Sequence, residues 1–184
     1  MAEKILFITS NRLGDAVLST AVMANLLDRY PQAQVTVACG PLPAPLFANM
    51  PRLHSLIPMA KRPRGGHWWR LWRAVVGQNW DLVVDLRDSI VSRTVMAKKR
   101  LIFRALPDEA GRHKVDQFAE KLGLQMPLQP RLWFTEEQDR AAREHMKPEL
   151  GPILAVGPAA NWAGKEWPMA RYQALIATLT APDG

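Results

Sequence analysis

Residues 4–39 read KILFITSNRLGDAVLSTAVMANLLDRYPQAQVTVAC, and this stretch decides the fold class. Lys4–Thr9 is a short apolar run that predicts a buried strand. Ala16–Tyr30 repeats apolar residues at helical spacing, and Gln34–Cys39 predicts a second strand. A strand, a helix and a strand in this order form a βαβ unit. We therefore expect an α/β protein whose parallel sheet is covered by helices.

The same alternation continues along the chain. Leu71–Gln78 has the pattern of a helix, Asp81–Leu86 has that of a buried strand, and Val115–Leu122 is a further predicted helix. These elements extend the parallel sheet beyond the first two strands.

A Pro-containing, charged region follows and has the composition of a linker, with a helix predicted at Glu136–Met146. After it, Pro152–Gly157 reads as a strand and Pro168–Leu179 as a helix. One βα unit cannot bury both of its faces alone. It is expected either to extend the first sheet or to begin a second domain.

Composition excludes several classes of protein. The chain has 184 residues, of which 48% are hydrophobic and 22% charged, unlike disordered or fibrous sequences. Its single cysteine, Cys39, excludes a disulfide scaffold and a zinc site built from cysteines. No apolar run has the length of a signal peptide or a membrane span, so we expect a cytoplasmic protein.

The positive charge is concentrated in one segment. The chain carries a net charge of +7, and Lys61–Arg104 contains eleven basic and three acidic residues. This segment indicates a polyanionic partner, such as a phosphorylated ligand, an anionic membrane or nucleic acid. The alternative is a pair of solvated basic helices.

The loop Asn11–Asp15 joins the first strand to the first helix, where ligands bind in parallel sheets. Gly14 would let a ligand approach the backbone, and the helix N-terminus favours anions. Asp15 is suited either to capping the helix or to catalysis. The loop lacks G-x-G-x-x-G, so a dinucleotide fingerprint is not supported.

A second loop, Gly157–Pro168, carries Lys165. Its spacing does not fit a P-loop, and Glu166 stands where a P-loop needs Ser or Thr. Lys165 is therefore interpreted as a lysine on the ligand side of a sheet, or as a surface lysine beside a helix start.

Three polar residues follow the predicted strand Asp81–Leu86, namely Ser89, Ser92 and Arg93, and they are suited to binding an anionic acceptor or to capping a helix. Asp85 and Asp88 do not form a D-x-D pair, and the four histidines are scattered. We therefore expect no metal.

Lys61–Arg73 interleaves three tryptophans with arginines at helical spacing. Core packing of two of these tryptophans is one interpretation, and an interfacial segment at a membrane is another. Stacking on nucleic acid is a third, although no nucleic-acid-binding module accompanies it.

Four segments together resemble glycosyltransferase family 9, the lipopolysaccharide heptosyltransferases. Residues 5–39 resemble the family's first strand, R-x-G-D loop, helix and second strand, and WDLVVDLRDSIVS at residues 80–92 resembles its D-x-x-x-D-L-x-x-S segment. GRHKVDQFAEKLGL at 111–124 resembles its histidine-containing helix. GPAANWAGKEWPMARYQALI at 157–176 is similar to the start of its C-terminal domain, with the K-x-W-P element.

The resemblance implies a GT-B type α/β fold. Residues 1–134 would form a Rossmann-like N-terminal domain that binds the acceptor, and residues 135–151 a linker. Residues 152–184 would be the first βα unit of a truncated C-terminal donor-binding domain. The family's later donor motif, Asp-Thr/Ser-Gly-x-x-His, is absent from the sequence, so the chain is expected to be an incomplete part of such an enzyme.

The resemblance also assigns roles to residues. Asp15 matches the family's catalytic base, which burial or a nearby carboxylate would keep effective. Lys165 and Asn161 match donor-binding positions, and Gly14 is placed with them. The residues expected to bind the acceptor are Arg12, Lys61, Arg62, Arg64, Ser89, Arg93 and His113.

The implied reaction is an inverting transfer of a heptose or related sugar, without metal or cofactor. The donor would be a nucleotide sugar similar to ADP-heptose, and the acceptor the lipopolysaccharide core or lipid A at the inner-membrane surface. No nucleic acid is expected as a partner. A non-catalytic basic module that binds membrane or nucleic acid is the alternative.

Overall fold

The computed structural model describes residues 3–104, 111–146, 152–160 and 162–181. The chain divides into two compact units, Met1–Glu136 and Glu137–Gly184. The division falls inside the predicted linker, while the domain bounds given above stay a prediction. Each unit is described by itself.

The first unit is built on a five-stranded sheet in the order β3-β2-β1-β4-β5. All four strand pairings are parallel. The strands are β1 (Lys4–Ile8), β2 (Gln34–Cys39), β3 (Leu53–Pro58), β4 (Trp80–Asp85) and β5 (Ala97–Ile102). The predicted α/β class with a parallel sheet is confirmed, and the strand order is that of a Rossmann-like domain.

In the described part of this unit, five α-helices connect or follow these strands. They are α1 (Leu13–Arg29), α2 (Pro45–Ala48), α3 (Gly66–Val75), α4 (Val91–Thr94) and α5 (Lys114–Leu122). The predicted helices are confirmed, although α1 and α3 begin three and five residues earlier than the apolar spacing indicated. Strands β3 and β5 were not predicted.

The central strand β1 is buried on both faces because helices cover both sides of the sheet. Ile5 and Phe7 belong to one cluster of buried side chains, together with residues of α1 and α5. Leu6 and Ile8 belong to a second cluster, together with residues of α3. The continuous apolar run that predicted this strand is what a parallel sheet covered on both faces requires.

The segment after α5 returns to α1. Helix α5 ends at Leu122 and is followed by Gly123, whose φ of 62° is the left-handed conformation typical of a helix end. Further along, the Arg131 amide donates to Thr20 Oγ1 at 3.1 Å, and its guanidinium pairs with Asp28 at 3.3 Å. These contacts hold the segment around Arg131 against helix α1.

The second unit contains helix α7 (Met169–Leu179) and almost all of α6 (Glu136–Met146). Both helices were predicted. The predicted strand at Pro152–Gly157 was wrong, because these residues form no strand and are exposed. A parallel strand requires a hydrogen-bonded neighbour, and the described residues of this unit contain no other strand to provide one. In the described ranges, no helix has the length and apolar character needed to cross a membrane.

Cys39 ends β2 inside the first cluster of buried side chains, and burial raises the pKa of its thiol to about 12. The thiolate is the reactive form. We therefore predict that the folded protein reacts with a thiol reagent at pH 8 at least about 100-fold more slowly than the urea-unfolded protein does. Absorbance of the released chromophore measures the two rates, and equal rates would contradict the buried position.

Candidate functional site

An open cleft of about 690 Å³ lies at the carboxyl ends of the strands in the first unit. Residues that follow β1, β4 and β5 line it, together with others from α3, α5 and the turn before α3. The lining residues are Thr9, Ser10, Asn11, Arg12, Asp15, Lys61, His67, Leu86, Arg87, Asp88, Phe103, Arg104, Lys114 and Phe118. Strand β1 lies between β2 and β4, where the strand order changes direction, and ligands of parallel α/β sheets bind at this point.

The loop between β1 and α1 packs closely against the end of β2. A Cβ atom added to Gly40 would lie 2.6 Å from Asn11 Cα and 2.9 Å from Asn11 Cβ. The Gly40 amide also donates to the Ser10 carbonyl at 3.2 Å. Gly40 is therefore required for this close approach.

Two hydroxyl groups hold the same loop from inside the protein. Thr9 Oγ1 donates to Ser19 Oγ at 2.8 Å, and Ser19 Oγ donates to the Ala16 carbonyl at 2.7 Å. Thr9 and Ser19 are buried. This chain of hydrogen bonds fixes the start of α1 relative to the end of β1.

Asp15 is the third residue of α1, and its side chain is exposed at the cleft. Its Oδ2 accepts a hydrogen bond of 3.3 Å from Ser10 Oγ. Ser10 Oγ accepts a 3.0 Å hydrogen bond from the Arg12 amide, which orients the Ser10 hydroxyl. Asp15 is not the N-cap, since Arg12 occupies that position without a capping side-chain hydrogen bond. In the first unit taken by itself, burial does not shield the Asp15 carboxylate from water.

Gly14 and Arg12 flank this carboxylate in sequence. Apart from its chain neighbours and the backbone of α1, nothing lies within 4 Å of a Cβ added to Gly14, so the space beside it is open to a ligand. Arg12 is exposed and lines the cleft. Arg12 and Asp15 of the R-x-G-D segment therefore line the cleft, whereas Gly14 is not among its lining residues.

The loop after β4 is organised by Asp85, which is fully buried. Asp85 Oδ1 accepts from the Arg87 amide at 2.8 Å, and Oδ2 accepts from the amide and hydroxyl of Ser89 at 2.7 and 2.6 Å. Ser89 is itself buried and is not among the cleft-lining residues. Its hydroxyl supports the loop by donating to Asp85, and the contact of Ser89 with the acceptor stays a prediction.

Asp88 has a φ of 52° and lines the cleft beside two arginines. Arg93 pairs with Asp88 Oδ1, and Arg104 Nε donates to Oδ2 at 3.0 Å. The hydrogen bond from Arg93, followed by that from Arg104, holds the pKa of Asp88 below its usual value. Arg93, predicted to bind the acceptor, is thus paired with a carboxylate and does not line the cleft.

One wall of the cleft combines aromatic rings with lysines. The rings of Phe103 and Phe118 meet edge to face at 4.8 Å between centroids. Lys114 Nζ lies 4.4 Å from the Phe103 ring centroid, and Lys121 Nζ lies 5.3 Å from it. Of these four residues, only Lys121 is absent from the lining, so Lys114 contributes a cation to the cleft itself.

Of the other residues predicted to bind the acceptor, one lines the cleft and three do not. Lys61 lines the cleft. Arg62, Arg64 and His113 are exposed but are not among its lining residues. His113 instead occupies the N-cap position of α5, without a capping side-chain hydrogen bond.

The predicted donor residues lie in the second unit, apart from Gly14. Lys165 is exposed and ends a short 3₁₀ turn, Ala163–Lys165, in which its amide donates to the Trp162 carbonyl at 2.9 Å. Glu166 Oε1 accepts from the Ala160 amide at 3.1 Å, which ties the K-x-W-P element to the chain before it. Asn161 lies outside the described residues.

Sequence reasoning missed several cleft residues, namely Ser10, His67, Arg87, Phe103, Lys114 and Phe118. Ser10 and Arg87 directly follow or adjoin predicted strands, so their place at the carboxyl edge was available from the pattern. The others come from α3, α5 and the end of an unpredicted strand. Among the residues that the structure describes, no group of three His, Cys, Asp or Glu side chains is arranged to hold a metal ion.

Comparisons with known proteins agree with the family resemblance. Residues 102–182 match the sequence model of Glycosyltransferase family 9 (heptosyltransferase). The chain is 32% identical over 106 residues to lipooligosaccharide heptosyltransferase 2 of Haemophilus ducreyi, a match that covers 55% of this chain and 30% of that protein. The resemblance to glycosyltransferase family 9 is thus confirmed. The aligned part of the chain spans less than a third of the length of this curated relative.

Two solved structures share the fold. The family 9 glycosyl transferase of Veillonella parvula matches with a TM-score of 0.72 and 18% identity, over 96% of this chain and 60% of that one. The E. coli ADP-heptose lps heptosyltransferase II matches with a TM-score of 0.66 and 23% identity, over 96% and 61%. The predicted GT-B type α/β class is confirmed by this likeness.

The close approach of Gly40 to Asn11 leaves no room for a side chain at position 40. We expect Gly40→Ala to lower the free energy of unfolding by about 1–3 kcal/mol, because the added methyl group must displace backbone. Gly14→Ala is the matched control, since open space surrounds that position, and it should leave the stability unchanged or raise it. Urea unfolding followed by circular dichroism measures both, and equal stabilities of the two variants would contradict the close packing.

Proposed function

We propose that this chain is the acceptor-binding part, with the start of the donor-binding part, of an inverting glycosyltransferase that needs no metal. It would transfer a heptose or a related sugar from a nucleotide sugar similar to ADP-heptose to the lipopolysaccharide core. One observation carries the proposal. The Asp15 carboxylate is exposed in a cleft whose other charged groups are almost all cations, at the switch point of a Rossmann-like sheet.

The chemistry assigned to Asp15 is general-base catalysis. As the acceptor hydroxyl attacks the anomeric carbon of the donor, Asp15 takes its proton. A new carbon–oxygen bond forms on one face of the sugar while the bond to the diphosphate breaks on the other, which inverts the anomeric centre. The nucleoside diphosphate leaves with the bonding electrons.

Two features suit Asp15 to this role. Ser10 Oγ hydrogen-bonds its Oδ2, and Ser10 is held in turn by the Arg12 amide, so the carboxylate has a defined direction. Asp88, the other carboxylate of the cleft, is bound by two arginines. Among the described residues, Asp15 is therefore the carboxylate of the cleft that forms no ion pair, whereas both oxygens of Asp88 do.

The acceptor side follows from the charge of the cleft. Arg12, Lys61, Arg87 and Lys114 line it, and none of their side chains pairs with a carboxylate in the described ranges. Phosphate and carboxylate groups of a lipopolysaccharide core complement such a surface. Arg62, Arg64 and His113 are assigned to parts of the acceptor outside the cleft, and Ser89 and Arg93 act by supporting its loops.

The donor side is assigned to Gly14, Asn161 and Lys165. A departing diphosphate gains negative charge, which lysine and helix N-terminal amides stabilise. The exposed Lys165 side chain and the open backbone at Gly14 have the chemistry for this. We assign the protein to the cytoplasmic face of the inner membrane, where a nucleotide sugar and a nascent glycolipid are both present, and assign it no nucleic-acid partner.

Replacement of the proposed base gives the direct test of this function. In the full-length enzyme, Asp15→Asn should lower the rate of heptose transfer from ADP-heptose to a heptose-free core acceptor by about 100- to 10,000-fold, because the amide takes up no proton. Acceptor binding, measured by calorimetry, should change little. Asp28→Asn is the matched control on the same helix, since Asp28 pairs with Arg131 away from the cleft. Normal turnover by Asp15→Asn would refute the assignment of the base.

Lys165 is tested by its effect on the donor. Lys165→Ala in the full-length enzyme should weaken binding of the nucleotide sugar by about 10- to 150-fold, the cost of one charge-assisted hydrogen bond. Lys99→Ala, a change of the same kind on the exposed face of β5, should leave donor binding unaltered. Calorimetry with ADP measures both variants, and equal affinities would remove Lys165 from the donor site.

A further inference from the structure

We propose that one face of α3 and the turn before it docks on an anionic lipid bilayer. The α3 face, as we call it, consists of Lys61, Arg62, Arg64, Trp69, Arg70 and Arg73. This inference rests on the proposed function, because it assigns to particular residues the contact that the enzyme would make with the membrane bearing its acceptor.

The tryptophans of α3 have different environments. Trp68 and Trp72 are half-buried and pack against the second cluster of buried side chains. The prediction that two of these tryptophans pack on the core is thus confirmed. Trp69 is 60% exposed and stacks on Trp72, with 4.8 Å between the ring centroids. A large apolar ring is thereby held in solvent at a fixed place on the surface.

The cations of the α3 face belong to the same stretch of sequence as this ring, and that stretch contains no acidic residue. Residues 61–80 contain five basic residues and no acidic one. All five basic side chains are exposed, and none pairs with a carboxylate in the part of the chain that the structure describes. Elsewhere in the basic segment, three of the six basic residues pair with a carboxylate, namely Arg93, Lys98 and Arg104. The part of the basic segment that contains the exposed tryptophan is therefore the part in which no described basic side chain is neutralised by a carboxylate.

An exposed tryptophan on a helix that also carries exposed arginines, preceded by a turn with exposed lysine and arginine, fits an anionic bilayer surface. Indole rings favour the depth of the lipid headgroups, and each basic residue near an anionic leaflet contributes about 1 kcal/mol to binding. The face is continuous with the cleft, because Lys61 lines the cleft and His67 of α3 does so too. Docking at α3 would hold the cleft beside the headgroups, where the sugar chain of a glycolipid begins.

Vesicle co-sedimentation tests this inference separately from catalysis. The 184-residue chain is mixed with vesicles of phosphatidylglycerol and phosphatidylethanolamine that contain no glycolipid, so recognition of the acceptor plays no part. We expect binding to these vesicles at low salt and at least tenfold weaker binding to phosphatidylcholine vesicles. Trp69→Ala should weaken binding to the anionic vesicles by about tenfold, because an apolar ring no longer enters the interface.

Charge is tested with a matched pair of variants. Arg70→Glu should weaken binding to the anionic vesicles by at least about fivefold, the equivalent of 1 kcal/mol per basic residue. Lys99→Glu makes the same change of charge on β5 and should have a much smaller effect. Circular dichroism confirms that each variant is folded.

Several results would overturn the proposal. The proposal fails if the chain does not bind anionic vesicles, or if Trp69→Ala binds them as tightly as the parent chain. It also fails if Arg70→Glu and Lys99→Glu lose the same amount of vesicle binding, or if the chain binds random oligonucleotides more tightly than vesicles. If the full-length enzyme transfers heptose to a water-soluble acceptor while the vesicles stay unbound, only this inference fails. If the vesicles bind and Asp15→Asn retains full turnover, the proposed base fails and the docking surface stands.

Discussion

The parallel pairing of β1 with both β2 and β4 is the constraint on which the first unit depends. Parallel neighbours must be joined by a crossover, so every strand ends at the same edge of the sheet. The chain moves from β1 to β2 and β3 on one side, then crosses to β4 and β5 on the other. The loops after β1 and β4 therefore diverge and leave a crevice between them. The charged residues of the cleft are concentrated there for this topological reason.

Buried hydrogen bonds turn that crevice into a defined site. On one side, Gly40 lets the loop with Asn11 pack on the end of β2, and on the other, the buried Asp85 carboxylate gathers two backbone amides and a hydroxyl. Neither residue carries out chemistry in this account. Both hold loops whose exposed side chains do. Asp15 faces the cleft, whereas Asp85 supports it from within.

The sequence alone predicted the parts of the fold that follow from apolar periodicity. The run Ile5–Ile8 is buried on both faces and was recognisable as a buried strand. Strand β5 was missed because Lys98, Lys99 and Arg100 lie in it, and edge strands tolerate such residues where a central strand does not. The apolar run after Pro152 predicted a strand from local pattern, yet a strand also depends on a partner at a distance. The site was predicted best where a residue follows a strand, as Asp15 does, and worst where helices supply the wall, as at Lys114.

Hydrogen exchange with a soluble, heptose-free core oligosaccharide tests the central claim most directly, namely that the acceptor occupies the cleft between β1 and β4. Added to the full-length enzyme, the oligosaccharide should slow amide exchange in residues 9–16 and 86–89, on the two sides of the crevice. Exchange at the amino ends of the same strands, around Lys4 and Asp81, should stay unchanged. Protection confined to those amino ends, or the absence of protection in both loops, would contradict the account.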